Sequence, residues 1–118
     1  MSTAYVVITV LTALANAGIA VADLTRAGFV VANSAAVGVP PAWLPRLAAL
    51  KAAGAVGLLL GLVGAPVIGV AAATGLVLFF LGAVAAHVRA RVFHNIVFPS
   101  GYLALAASSL VLVLTVPR

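Results

Sequence analysis

The sequence predicts an all-α integral membrane protein, a bundle of four transmembrane helices, on three observations. Of 118 residues, 66% are hydrophobic and only 6% charged, and the mean hydropathy is +1.38. Soluble domains run near half apolar and about a quarter charged, so this chain has too few charges to cover a water-facing surface. Four apolar stretches approach or reach the about 20 residues that a spanning helix needs. No segment alternates polar with apolar residues, as the strands of a membrane barrel do. The length admits one membrane domain, 1–118. The absence of cysteine removes disulfides, thiolate catalysis and Cys-based zinc or iron–sulfur sites.

The first span is expected over 4–24. It holds no Lys or Arg, and its one acid, Asp23, falls in the last turn. It lacks a basic leading region and a cleavage site, so it reads as a span rather than a signal peptide. Residues 25–45 are too apolar for a solvated linker and too short to span. Gly28 to Val39 suits a short interfacial or re-entrant segment, which a membrane tolerates when it packs on protein. Pro40, Pro41 and Pro45 stiffen the entry to the second span, 46–63, and Trp43 belongs at headgroup level. Gly64, Ala65 and Pro66 form a tight turn into the third span, 67–87. Residues 88–98 mix Arg89, Arg91, His94 and Asn95 with Val92, Phe93, Ile96 and Phe98, a composition that suits a stretch lying in the interface. The fourth span is expected over 99–116.

Six Lys plus Arg against one acid give a formal charge of +5. The basic residues sit at the ends of apolar runs, with no basic stripe or interleaved aromatics, so nucleic acid is not an expected partner. They read instead as topological charges and contacts to anionic membrane lipids. Four spans put both termini on one side. Arg26, Arg46, Lys51, Arg89 and Arg91 fall on the other, and Arg118 alone on the terminal side. By the positive-inside rule the loops 25–45 and 88–98 are cytoplasmic and both termini extracytoplasmic, in a multi-pass protein of the cell membrane.

Helix packing is written in small residues. Gly54, Gly57, Gly61 and Gly64 recur at three, four and three residues along the second span, with Gly69, Gly75 and Gly82 on the third. Such faces let backbones approach closely where lipid supplies no hydrophobic drive. Two uses of these faces remain open: packing inside one chain, or a homo-oligomer through the glycine-rich faces.

Few polar groups lie at membrane depth. Thr12, Asn16 and Asp23 are four and seven residues apart, on one stripe of the first helix facing the bundle. An intramembrane carboxylate is costly unless paired or beside a wet cavity, so Asp23 is a candidate site, with Arg26 and Lys51 as the available structural partners. Lys51 either snorkels to the headgroups or points inward to Asp23 or a ligand. His87 closes the third span at the same level and suits proton transfer or a ligand hydrogen bond, or else is a satisfied interface histidine. His94 follows seven residues later. No HxxxH or HxxE spacing is present, and no metal is expected. Asp23, Lys51 and His87, from three helices, are expected to converge at the cytoplasmic end, with Asn16 deeper.

The run Gly38-Val39-Pro40, Trp43-Leu44-Pro45, then LAALKAAGAVGLLLGL (47–62), and LVLFFLGAVAAHVRAR (76–91) with the final span from Leu103 to Leu112, resembles the DoxX-like family of small bacterial four-helix membrane proteins. The resemblance runs from about Leu14 onward and implies a four-helix membrane fold. Lys51, His87 and Arg89 match its KxxG and AHxR placements. The family's namesake is linked to thiosulfate:quinone oxidoreduction, for which this chain carries no cysteine, haem-ligand pattern or flavin motif. The alanine-, valine- and arginine-rich composition suggests a high-GC bacterium, hence its inner membrane.

The function expected from these features is binding of a lipophilic small molecule with a polar head, such as a quinone, a terpenoid or a lipid fragment. If the site is catalytic, Asp23 is the acid/base, with Lys51 or His87 as tuning partner, in isomerase, cyclase or epoxide-opening chemistry that needs no cofactor. Asn16, Thr12, Arg89, Trp43 and His94 complete the candidate ligand contacts. The alternatives are a non-catalytic membrane subunit of an oxidoreductase or other complex, and a small proton-coupled exporter.

Overall fold

The computed structural model describes residues 2–115, and these are helical without a strand. The elements are α1 (Thr3–Leu24), α2 (Gly28–Ala36), a 3-10 turn (Pro41–Trp43), α3 (Leu44–Leu62), α4 (Pro66–Arg89) and α5 (Val97–Thr115). Four helices are long and apolar enough to cross a membrane: α1, the continuous stretch Pro41–Leu62, α4 and α5. The molecule is therefore a multi-pass membrane protein. Its longest extent, 43 Å, matches the about 40–45 Å of a bilayer with its headgroups.

Local chemistry explains the boundaries. The Ser2 hydroxyl accepts from the Tyr5 N–H at 3.1 Å and caps α1. Proline occupies the first turn of α3 and of α4, where its missing N–H has no helical partner to lose. The same tolerance lets α5 begin at Val97, two residues ahead of Pro99, where the sequence suggested it would start. The expected end of that span at 116, and Arg118, lie outside the described residues.

Helices α1, α2 and α4 end in one motif, a residue at positive φ followed by an N–H that reaches back to the last turn. In α1 the Arg26 N–H donates to the Asp23 carbonyl at 3.2 Å and the Ala27 N–H to Ala22 at 3.0 Å. In α4 the Arg91 N–H donates to Val88 at 3.1 Å and the Val92 N–H to His87 at 2.9 Å. Gly38 serves α2 at φ 78°, and Gly64 turns α3 into α4 at φ 119°, but Arg26 and Arg91 hold the left-handed conformation at 52° and 57°. An arginine there costs about 1 kcal/mol that a glycine would not. In return it sets a cation against the negative end of the helix.

The four long helices form a ring in which α1 and α4 each pack against both α3 and α5. Its centre is built from small residues and a few large ones: Ala13, Ala55, Leu58, Ala73, Leu76, Phe80 and Ala106. Large apolar side chains such as Leu14, Val63, Val67 and Leu78 point outward, the distribution expected where the surrounding solvent is lipid. The segment 25–45 folds as the nine-residue α2 and the 3-10 turn, laid across the end where α1 and α4 finish. The bundle is open beneath it.

Candidate functional site

The site starts from two charges that the bundle cannot leave alone. Asp23 lies in the last turn of α1 and is 2% exposed, while Lys51 lies about two turns inside α3 and is 8% exposed. Their ion pair closes at 2.8 Å between Lys51 Nζ and Asp23 Oδ2. Breaking a buried pair from one side typically costs about 3–5 kcal/mol, because a lone charge remains. The Lys51 ammonium also stands 5.3 Å above the Phe79 ring centroid, so an aromatic face shares its charge. The arginine three residues on from Asp23, Arg26, forms no part of the pair.

Across the opening, α4 supplies His87, 3% exposed. Its Nδ1 lies 2.8 Å from the Ala83 carbonyl, which only accepts, so Nδ1 carries the hydrogen. Its Nε2 faces Asn33 Oδ1 of α2 at 3.2 Å, and the same oxygen accepts from Asn95 Nδ2 at 2.6 Å. His87, Asn33 and Asn95 thus tie α2 to α4 and to the loop before α5. At the loop end of this node, Asn95 Oδ1 is buried without a hydrogen-bond partner among the described residues.

Between these two polar groups lies a cavity of about 820 Å³. Phe79 and Phe80 meet edge to face at 5.0 Å, and Phe80 and Tyr102 lie 5.1 Å apart, making an aromatic wall. The Tyr102 hydroxyl donates to the Ala15 carbonyl at 3.2 Å, closing the deep end. Phe29, Trp43, Phe98 and Arg89 stand around the mouth.

Of the residues singled out in the sequence, Asp23, Lys51, His87, Arg89 and Trp43 line this cavity. Thr12 and Asn16 do not; they are wholly buried between helices. The Thr12 hydroxyl is 2.8 Å from that of Ser109 on α5, and Asn16 Nδ2 donates to the Thr12 carbonyl at 2.9 Å. His94 is exposed and also away from the cavity. Sequence reasoning missed Asn33, Ser34, Tyr102 and the Phe79–Phe80 wall, and placed Asn95 only in an interfacial stretch. Asn33 offered one usable signal: it is the sole amide in a short apolar segment that must pack on protein.

The glycine face of α3 is turned inward, to α4. A Cβ on Gly54 would fall 2.6 Å from a Leu76 methyl, one on Gly57 2.6 Å from the Ala72 Cβ, and one on Gly61 2.7 Å from the Gly69 Cα. These glycines serve packing within the chain.

The model of the DoxX-like family matches residues 7–109, a stretch that takes in the cavity and most of all four long helices. No curated protein and no solved structure matches the chain.

Proposed function

Since the chain belongs to the DoxX-like family of membrane proteins, we propose that it binds a lipophilic small molecule with a polar head in the cavity beneath α2. One observation carries this reading. The cavity of about 820 Å³ has aromatic and aliphatic walls, yet Asp23, Lys51, Asn33 and His87 are all among the residues that line it. Apolar enclosure with a few convergent polar groups is the usual form of a small-molecule site, and the volume lies within the about 300–1,000 Å³ of such pockets. A quinone, a terpenoid or a lipid fragment has the matching shape: an apolar body for Phe79, Phe80 and Leu47, and an oxygen-bearing head for the ion pair and the His87 node.

The chemistry open to this set is proton transfer. Asp23, paired with Lys51 at 2.8 Å, offers a carboxyl group to a ligand proton, while His87 faces the other side of the same space. The positive-inside rule sets the site at the cytoplasmic end: Arg26, Arg46, Arg89 and Arg91 all lie at that end of the helices, leaving both termini extracytoplasmic. The cysteine-free chain permits a direct check of orientation. A single cysteine at Ser2 should react with a membrane-impermeant maleimide on whole cells, and one at Arg91 only after lysis. The opposite pattern inverts the assignment.

The ligand is tested by extraction and mass spectrometry of protein purified in mild detergent. Gly82 lines the cavity and its Cβ position has nothing within 4 Å, so Gly82→Trp adds a large ring at the cavity wall from a point where the first added carbon meets no neighbour. Wild type should carry an apolar compound at near-stoichiometric amount, and Gly82→Trp at least tenfold less. Identical extracts from both proteins would end the proposal.

A further inference from the structure

The bundle holds a second polar feature that the cavity does not absorb. The buried face of α1 below Asp23 contains Asn16, Thr12, Thr9 and Tyr5, spaced four, three and four residues apart, one stripe of a helix. Asn16 and Thr12 are 0% exposed, and Thr9 and Ser109 are 1%. Two polar atoms on this line, Asn16 Oδ1 and Thr9 Oγ1, are buried without a hydrogen-bond partner among the described residues. Between them the Thr12 and Ser109 hydroxyls meet at 2.8 Å. Buried oxygens in this condition are normally satisfied by internal water, and in a membrane-spanning segment the requirement is stricter, because lipid offers no partner.

The line has two defined ends. At one, Tyr102 lines the cavity and its hydroxyl bonds the carbonyl of Ala15, the residue beside Asn16. At the other, the buried Tyr5 hydroxyl stands 3.9 Å from the Cβ position of Gly61, in the last turn of α3. From Asn16 to Tyr5 is about 16 Å of helix rise. Cavity and stripe together thus run most of the length of the bundle. Every oxygen along the stripe except the amide's belongs to a hydroxyl, which both donates and accepts and can therefore pass a proton without holding a charge.

We propose that Asn16 and Thr9 bind a file of internal water that, with Thr12, Ser109 and Tyr5, conducts protons between the cavity and the opposite end of the bundle. Each transfer makes one O–H bond as it breaks another. A proton enters at one end as one leaves at the other, and nothing is oxidised. The path needs no ligand in the cavity and is independent of the function proposed above.

The test is proton flux in sealed proteoliposomes of phosphatidylethanolamine and phosphatidylglycerol, with a trapped pH-sensitive dye and a potassium diffusion potential as drive. Wild-type vesicles should acidify at least tenfold faster than protein-free vesicles. Thr9→Val and Asn16→Leu should each bring the rate to within twofold of the protein-free value. Wild type no faster than protein-free vesicles would overturn the proposal, as would variants that conduct like wild type. Thermal unfolding supplies a second reading, in which a raised midpoint cannot come from a misfolded variant. If the stripe is dry, Thr9→Val removes an unpartnered hydroxyl at constant shape and raises the midpoint. If water is bound there, the midpoint falls or stays level. A raised midpoint therefore also overturns the proposal.

Discussion

The α3–α4 seam and the α1–α5 seam join helices of the same bundle by opposite means. On α3, Gly57 meets Ala72 and Gly61 meets Gly69, so closely that a single added methyl would strike the facing helix. That seam has no side-chain hydrogen bond among the described residues, and along its glycine face the cohesion is van der Waals contact, backbone to backbone at Gly61 and Gly69. On α1, Thr12 meets Ser109, and Ala15 accepts from Tyr102. Two further oxygens of α1, on Thr9 and Asn16, lie buried without hydrogen-bond partners among the described residues. The difference separates scaffold from site. A seam made of backbone contact has one geometry. A seam made of hydroxyls has several hydrogen-bond arrangements of similar energy, and it meets the cavity at Tyr102.

The largest effect belongs where the polar half holds charge. Lys51→Met leaves Asp23 buried without its cation, and unfolding stability in detergent should fall by about 3 kcal/mol. Asp23→Asn together with Lys51→Met should recover most of that loss, because two neutral groups replace an orphaned charge. Thermal unfolding followed by circular dichroism measures both. Should the double variant be as unstable as the single, the pair's role is packing and not charge balance.

The apolar half is broken next, by one carbon atom. Gly61→Ala places a Cβ 2.7 Å from the Gly69 Cα, a clash with backbone that no rotamer relieves, and should cost about 2 kcal/mol. Gly75→Ala, on the neighbouring helix, meets nothing within 4 Å and should gain about 1 kcal/mol from helix propensity. Opposite signs for the same substitution on two packed helices would assign the cost to the seam. Equal signs would refute the close-contact account.

The sequence exposes these two halves unequally. The glycine spacing on α3 and the lone acid are visible as pattern, since a 3.6-residue period and a charge in an apolar span need no partner to be noticed. The all-helical membrane fold follows from composition. Pattern cannot say which helix a face meets, so the α3 glycines read equally well as an oligomer surface until Leu76, Ala72 and Gly69 are seen against them. The same limit hid the His87 node: Asn33 and His87 are 54 residues apart, on elements whose crossing no periodicity encodes. Thr12 and Asn16 illustrate a third case. Their stripe faces the bundle, as spacing requires, but the cavity ends at Tyr102, above them. Depth along a helix is readable from sequence, whereas the floor of a cavity is set by side chains from another helix.

The smallest predicted effect bears on the polar seam without touching the cavity. Thr12→Val and Ser109→Ala each remove one side of the 2.8 Å hydroxyl pair, and each should cost about 1 kcal/mol. Thr12 also donates to its own helix, at 2.7 Å to the Ile8 carbonyl, and lies 3.4 Å from the Leu105 carbonyl of α5. A threonine with other acceptors loses little when one partner goes, so the coupling between the two residues should be small. A double-mutant cycle is expected to return about 0.6 kcal/mol, the average for hydrogen bonds between membrane helices. A coupling near zero would mean that α5 is held on α1 by shape, as α4 is held on α3, and the contrast between the seams would shrink to the unpartnered oxygens of Thr9 and Asn16. A coupling well above 1 kcal/mol would mean that the hydroxyls are locked in one arrangement, which is the state least able to pass a proton along α1.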